Sequence, residues 1–129
     1  MGIFEELGAS EAVATQKFSI YIPNKDRNHQ ILPDWSTWID SAIYLLAEIN
    51  GGSTSLPASK SAWKGEDDRM MSEEAVVVYS FIRHPDEFEK NLGTIKAFIR
   101  DFGIRADQES VLVELADCEA CFINRDDFS

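Results

Sequence analysis

The chain switches between strand-like and helix-like hydrophobic patterns, and these patterns predict its first elements. Residues 17–22 alternate between polar and apolar side chains, which is typical of a strand with one buried face. Apolar residues then recur at three- and four-residue steps over residues 35–49, which predicts an amphipathic helix. Asp34 stands where it can begin this helix, and the pair Gly51 and Gly52 stands where it can end it.

The second half of the chain begins with one weak strand pattern and one strong one. Residues 54–63 predict a short strand that Pro57 interrupts, and an interrupted strand is expected at a sheet edge. A polar turn follows at residues 65–69. Residues 74–82 are then apolar on both faces, which is typical of a central strand.

A second helical stripe and a last alternating segment complete the pattern. Residues 85–102 carry apolar side chains on one helical face, and Gly103 is expected to end that helix. Residues 110–116 alternate again and predict a strand. A turn at residues 117–119 would leave room for one extra C-terminal strand at residues 120–123.

This order of elements predicts an α+β protein with the ferredoxin-like βαββαβ arrangement, in which two helices cover one face of an antiparallel sheet. Residues 17–124 are expected to form this single domain, because 129 residues suffice for one well-packed core. Residues 1–16 are weakly amphipathic and are assigned to an N-terminal arm. Residues 125–129 are assigned to a polar tail.

The other face of the predicted sheet is partly apolar, since Tyr21 and one side of the strand at residues 74–82 lie on it. Exposed apolar surface favours association. We therefore expect a homodimer through this open face, with residues 1–16 or another protein as the alternative cover.

The predicted topology also assigns the loops to the two ends of the sheet. The loop at residues 24–30, the turn at residues 65–72 and the connection at residues 106–109 are expected to share one end. The loop at residues 51–55, His84 and the turn at residues 117–119 are expected at the opposite end.

Acidic charge is concentrated in the second half of the chain. The net charge is −11, and residues 65–129 carry 16 acidic and 7 basic side chains, against 7 and 5 in residues 1–64. A negative field repels nucleic-acid phosphate, which argues against direct binding of DNA or RNA. The same field would attract a basic protein surface, and salt would weaken that attraction.

Neither a membrane segment nor a secretory signal is visible in the sequence. No apolar stretch approaches the ~20 residues that a membrane-spanning helix requires. The N-terminus continues with Glu5 and Glu6, whereas a secretory signal begins with basic residues before an apolar run. We therefore predict no membrane partner and a cytoplasmic location.

The first candidate site is an acidic patch beside an edge-strand tryptophan. Trp63 stands between Lys60 and Lys64 in the sequence and is a candidate contact residue, because exposed tryptophans often anchor interfaces. The residues that we assign to this interaction surface are Trp63, Glu66, Asp67, Asp68, Glu73 and Glu74. The alternative interpretation of the acidic residues is a solvated turn.

The second candidate site is the densest polar stretch of the chain, which consists of Asn24, Lys25, Asp26, Arg27 and His29. It follows directly after the first predicted strand. Lys25 and Arg27 could hold a negative group, while Asp26 or His29 handles a proton. The alternative interpretation is an ordinary hydrated loop.

Two short motifs do not support a cofactor or a metal. Cys118 and Cys121 are spaced as in a redox motif, but no helix follows them. A zinc site would need both histidines as well, and His29 is expected at the other end of the sheet from the cysteines. We therefore predict no metal and interpret the cysteines as small buried residues.

The glycine-rich segment at residues 51–55 follows a helix and lacks the lysine of a phosphate-binding loop. Hydrolase, metalloprotease and dinucleotide-binding motifs are also absent from the sequence. We therefore predict no cofactor, and no catalytic residue is assigned.

Three parts of the sequence together resemble a group of small bacterial and phage-type proteins of uncharacterised function: residues 18–27, residues 51–54 with Trp63, and residues 76–80. The resemblance covers about residues 17–123. It implies a ferredoxin-like fold and brings no activity with it.

These observations favour a non-enzymatic interaction module that uses its acidic half to engage a basic protein surface. One version is an inhibitor that mimics nucleic acid by its charge. The alternative is a small-ligand binder or enzyme that works at the loop of residues 24–30. A third hypothesis is a structural subunit that assembles through the open sheet face.

Overall fold

The computed structural model describes residues 2–9, 13–65 and 67–127. Some of the predictions concern residues outside these ranges. These residues are Glu66 of the acidic patch, residue 1 and residues 10–12 of the N-terminal arm, and residues 128–129 of the tail.

The described part of the chain is a mixed α+β protein with five strands, four α-helices and one short 3-10 helix. The strands are β1 (Ala14–Pro23), β2 (Thr54–Ser55), β3 (Ser59–Lys64), β4 (Met70–Phe81) and β5 (Val113–Ala120). The α-helices are α1 (Ile3–Glu6), α2 (Trp35–Asn50), α3 (Pro85–Lys90) and α4 (Leu92–Arg105), and the 3-10 helix spans Arg125–Asp127.

The strands form one antiparallel sheet in the order β2-β4-β1-β5, and β3 also pairs with β4. The two short strands β2 and β3 therefore share one edge, and Pro57 lies between them as the sequence predicted. β1 is hydrogen-bonded on both sides, to β4 and to β5. Ile20 of β1 lies opposite Val78 of β4, and both side chains are fully buried.

Helix α2 packs on the inner face of the sheet through its apolar stripe, where Trp38 and Leu46 are buried. Two tryptophan hydrogen bonds fix its first turn. The Trp35 Nε1–H donates to the carbonyl oxygen of Ile22 at 2.9 Å. The Trp38 Nε1–H donates to the Asp34 carboxylate at 3.1 Å. The tryptophans of this helix therefore belong to the packing of the core.

The predicted second helix is in fact two helices. α3 and α4 are separated at Asn91, and they bury Phe88 and Phe102 in the core. Gly103 does not end the helix, because α4 continues to Arg105. A glycine inside a helix costs about 1 kcal/mol relative to alanine, which core contacts of its neighbours can offset. None of the helices in the described ranges is long and apolar enough to cross a membrane.

The last strand differs from the prediction. β5 runs without interruption through the predicted turn at residues 117–119, because Asp117 stays paired with Gln16 beside a β-bulge. The prediction of that turn, and of an extra strand at residues 120–123, was therefore wrong. β1 also starts earlier than predicted, at Ala14, which pairs with Ala120.

The outer face of the sheet carries the side chains that alternate with the core residues. Tyr21, Val77 and Tyr79 lie on it and are half-buried, and Phe81 is 38% exposed. The register places Tyr21 opposite Val77. Apolar surface on this face is thus present, as the sequence predicted.

The core can be tested with two leucines of the same type in different surroundings. Leu46 is fully buried, whereas Leu115 on β5 is 56% exposed. We expect Leu46→Ala to lower the free energy of unfolding by about 2–5 kcal/mol, because it leaves a cavity. Leu115→Ala should change it by about 0.5 kcal/mol or less. Urea denaturation of both variants checks this, and equal losses would contradict the assigned core.

Candidate functional site

The three segments predicted to share one end of the sheet do meet there. The backbone N–H of Asn24 donates to the Glu74 carbonyl oxygen at 2.8 Å, and the Glu74 N–H donates to Asn24 Oδ1 at 2.9 Å. Arg27 Nε lies 2.9 Å from Asp107 Oδ1, and its backbone N–H donates to the Asp107 carbonyl oxygen at 2.9 Å. The loop after β1 is therefore tied both to β4 and to the connection that leads to β5.

Asp26 gives this loop its shape and is engaged by the backbone. Its Oδ1 accepts hydrogen bonds from the N–H groups of Asn28 and Gln30, at 2.8 and 3.0 Å. His29 lies between them with φ of 64°, a left-handed conformation that such turns impose. Asp26 and Arg27 are thus occupied by contacts that hold the loop, which leaves Lys25 and His29 for chemistry.

Lys25 and His29 form a pair that faces β4. Lys25 Nζ lies 3.0 Å from His29 Nε2 and donates to the carbonyl oxygen of Ser72 at 3.0 Å. A lysine ammonium can only donate, so in this contact His29 Nε2 is the acceptor and the ring N–H is on Nδ1. The pair has a defined tautomer, with the Nδ1–H left for another acceptor.

Trp63 and Glu73 lie on neighbouring strands of the same sheet face. Ser61 pairs with Glu73 and Trp63 pairs with Met71 in the register of β3 and β4, so all four side chains share one face. The Trp63 Nε1–H donates to the Glu73 carboxylate. The Trp63 ring remains 47% exposed. A carboxylate and an accessible aromatic face therefore stand side by side.

The carboxylate of Glu73 is half-buried, and this burial raises its pKa above the usual range of a glutamate. The hydrogen bond from Trp63 and the nearby positive charge of Lys25 act in the opposite direction, but they do not outweigh the burial. The neighbours of the ionised carboxylate thus only partly offset the solvation that it loses through burial. A group in this state gains from a further positive partner.

Two concave regions adjoin Trp63 and Glu73. One of about 120 Å³ extends towards Lys25 and His29, and a second of about 330 Å³ extends along the outer sheet face to Tyr21. We call the residues Lys25, His29, Trp63, Glu73 and Tyr21 the strand-end site. The loop of residues 24–30 therefore borders a concave surface. This surface carries side chains of both charges and aromatic rings.

Tyr21 contributes a neutral phenol to this site. Partial burial raises its pKa, and the negative charge of Glu114 together with a weak hydrogen bond to it raises the pKa further. The Tyr21 O–H points to Glu114 Oε1 at 3.5 Å. The phenol therefore stays protonated and offers an aromatic wall at neutral pH.

The remaining acidic-patch residues are engaged elsewhere, although Asp67 borders a further hollow that His29 also lines. Asp67 pairs with Arg69 at 2.6 Å, and the backbone hydrogen bond from Arg69 is the main cause that lowers the pKa of Asp67. Asp68 lies 3.6 Å from Lys64. Glu74 is exposed on the opposite face of β4 from Glu73. The fold thus gives Asp67, Asp68 and Glu74 different surroundings.

The two cysteines lie at the other end of the sheet from His29, as predicted. Both are free thiols, and both are partly exposed rather than buried as predicted. Cys118 lies on the edge strand β5, and Cys121 directly follows that strand. Within residues 2–9, 13–65 and 67–127, no group of three metal-binding side chains is close enough to hold an ion.

The sequence patterns predict most residues of the strand-end site, but in two separate groups. Trp63 and Glu73 were assigned to a protein interface, and Lys25 and His29 to a ligand loop. Tyr21 was noted only as part of the open face. The missing signal was the register of the β3–β4 hairpin, which sets Trp63 beside Glu73.

The burial of Glu73 predicts a pH-dependent contribution to stability. Because its pKa is raised in the folded state, folding takes up a proton, and the stability that this residue provides at low pH is lost as pH rises through its folded pKa. We therefore expect Glu73→Gln to gain stability relative to the wild type as the pH rises from about 4, the ordinary pKa range of a glutamate, towards neutral pH. Urea denaturation over this pH range measures the difference.

Glu74→Gln makes the same charge change on the adjacent, exposed residue and is the matched control. If both variants show the same pH dependence relative to the wild type, the burial of Glu73 is not its cause.

The chain shares its fold with solved proteins, while its sequence matches no protein-family model and no curated protein. A phage SAM lyase in complex with S-methyl-5'-thioadenosine matches with a TM-score of 0.58 and 14% identity, over 84% of this chain and 84% of that one. A phage SAM lyase in the apo state matches with a TM-score of 0.56 and 15% identity, over 84% and 85%.

A divalent ion tolerance protein, CutA1 from Ehrlichia chaffeensis, matches with a TM-score of 0.43 and 9% identity over 83% and 84% of the two chains. That score is too low to carry an argument. The phage source of the two lyases agrees with the resemblance noted in the sequence, and at these identities the likeness concerns the fold alone.

Proposed function

We propose that this protein binds an adenosine derivative that carries a thioether or a sulfonium group, such as SAM or S-methyl-5'-thioadenosine, at the strand-end site. This is the ligand-binding alternative drawn from the sequence, with its residues regrouped. The observation that carries it is the convergence of a half-buried carboxylate, an accessible indole and a Lys–His pair in one hollow.

The charges of the site match those of SAM. A sulfonium cation would relieve the incomplete compensation of Glu73, and its methyl groups would pack against the Trp63 ring, since cations favour aromatic faces. The amino-acid carboxylate of SAM is an acceptor that suits Lys25 and the free His29 Nδ1–H. The purine is flat and would fit against the Tyr21 side of the larger hollow.

The fold supports the same ligand class. The phage lyase with the higher TM-score is bound to S-methyl-5'-thioadenosine, and the match spans most of both chains. We also infer that the architecture is ferredoxin-like, with β2 and β3 acting as one interrupted edge strand. The order β2-β4-β1-β5 and the two antiparallel pairings of β1 support this.

Calorimetric titration with SAM and with S-methyl-5'-thioadenosine tests the proposal. Glu73→Gln removes the negative charge and should weaken SAM binding by about tenfold or more. It should affect S-methyl-5'-thioadenosine less, because that ligand lacks the sulfonium charge. Trp63→Ala should weaken both ligands by removing a ring contact, with Tyr44→Ala as the control for loss of an exposed aromatic residue.

Glu74→Gln is the control for charge and should leave both affinities unchanged. Chromatography of SAM after incubation with the protein then shows whether S-methyl-5'-thioadenosine is formed, which separates an enzyme from a binder. Failure of both ligands to bind the wild-type protein would refute the proposal.

The acidic interaction module remains a separate hypothesis. The pairings of Asp67 with Arg69 and of Asp68 with Lys64 reduce the charge that the patch offers to a basic protein partner. The strong negative charge of residues 65–129 still favours such a partner. The acidic interaction module therefore stays a prediction from the sequence.

Self-association through the outer sheet face also remains a proposal, and the exposed Phe81 beside the half-buried Tyr79 favours it. We expect Tyr79→Arg to shift the protein to monomers in sedimentation velocity. Tyr44→Arg introduces the same residue on the exposed side of α2 and should leave the assembly intact. A wild-type protein that is already monomeric would contradict the expectation.

A further inference from the structure

A second cavity lies at the opposite end of the sheet from the strand-end site. Its volume is about 300 Å³, and it is bounded by the start of β1, the loop after α2 and the ends of β4 and β5. The aromatic side chains of Tyr79, Phe81 and Phe122 form much of its wall, and Gly51 and Gly52 contribute backbone. The walls are therefore largely apolar and well suited to a flat or branched apolar group.

The charge of this cavity is opposite to that of the protein as a whole. Arg83 lies in its lining, and no carboxylate is found among the described residues that line it. Lys17 adds a second cation nearby, with Nζ at 5.3 Å from the centre of the Tyr79 ring. In a chain with a net charge of −11, these cations mark a local place where an anion is favoured.

The guanidinium of Arg83 is held in position by its neighbours. It lies over the Phe122 ring at 5.2 Å from the ring centre. Gly51 also lies close to it, since a Cβ at that position would be in ordinary contact with Arg83 Nη1 at 3.5 Å. Arg83 forms no ion pair with the residues of the described ranges. Its N–H groups are thus oriented and open to an external acceptor.

The loop that forms one wall is fixed against the sheet. The Ser80 Oγ–H donates to the Gly52 carbonyl oxygen at 2.6 Å, and the Ser53 Oγ–H donates to the Ile43 carbonyl oxygen at 2.6 Å. Asn50, just before this loop, is buried with both side-chain polar atoms unpaired among the described residues. The two serine hydrogen bonds make this wall preformed, which lowers the entropic cost of binding.

We propose that this cavity is a second ligand site, which takes a small carboxylate, sulfonate or phosphate with an aromatic or branched apolar body. The anionic group pairs with Arg83, and the body lies among Tyr79, Phe81 and Phe122. This proposal is independent of the strand-end site, since the two sites share no residue.

Fluorescence titration with anilinonaphthalene sulfonate tests the site, and the uncharged phenylnaphthylamine is the matched probe without the sulfonate. We expect Arg83→Gln to weaken binding of the sulfonate by about tenfold and to leave the uncharged probe unchanged. Arg100→Gln removes an exposed arginine of α4 and should change neither affinity. Arg83→Lys keeps the positive charge but lacks the paired N–H donors of the guanidinium, so it should give an intermediate loss of sulfonate affinity.

The position of the probe is checked with Cys121, which also lines the cavity. In a Cys118→Ser background, saturating sulfonate should slow alkylation of Cys121 by iodoacetamide severalfold. Equal sulfonate affinity in Arg83→Gln and wild type, or an unchanged alkylation rate, overturns the proposal. A third outcome also rejects the site: Arg83→Gln lowers the denaturation midpoint but keeps the affinity for the sulfonate. Arg83 would then stabilise the C-terminal end of α2 and would not bind a ligand.

Discussion

The position of β1 determines most of the architecture. It is hydrogen-bonded along both edges and buries Ile20 and Ile22 completely, so it cannot shift by one residue without turning its apolar side chains to the wrong face. Because the register of β1 is set, the position of Pro23 at its end is set as well. The loop of residues 24–30 therefore starts at a defined point at the edge of the sheet. The Trp35 hydrogen bond to Ile22 adds a direct link between this strand and the first helix.

That fixed strand end is also what makes chemistry feasible there. Asn24 extends the strand pairing by a two-way contact with Glu74, and the loop then turns Lys25 and His29 towards the neighbouring strand. Glu73 is drawn into the same hollow by the hairpin register. A carboxylate whose loss of solvent is only partly offset by its neighbours is a costly arrangement, and binding sites are where such arrangements recur.

Electrostatics divide the molecule into unlike ends although the net charge is strongly negative. At the strand end, an acid and a Lys–His pair face each other beside aromatic rings, which suits a ligand that carries both signs of charge. At the far end, Arg83 stands over Phe122 in a lining without carboxylates among the described residues, which suits an anion. Net charge by itself therefore says little about what either end binds, since local groups outweigh the mean field at contact distance.

The sequence by itself determined the elements and their order, because alternation and helical spacing directly report which side chains must leave water. It also placed the loop of residues 24–30 beside residues 65–72, since topology assigns strand ends. The sequence did not predict that Asp117 stays paired with β1 beside a bulge, or that α4 continues past Gly103. Contacts between residues distant in the chain decide both features. Above all, only the tertiary structure joined Trp63 and Glu73 to Lys25 and His29, because register between strands and burial of a carboxylate are properties of the packed sheet rather than of any local pattern.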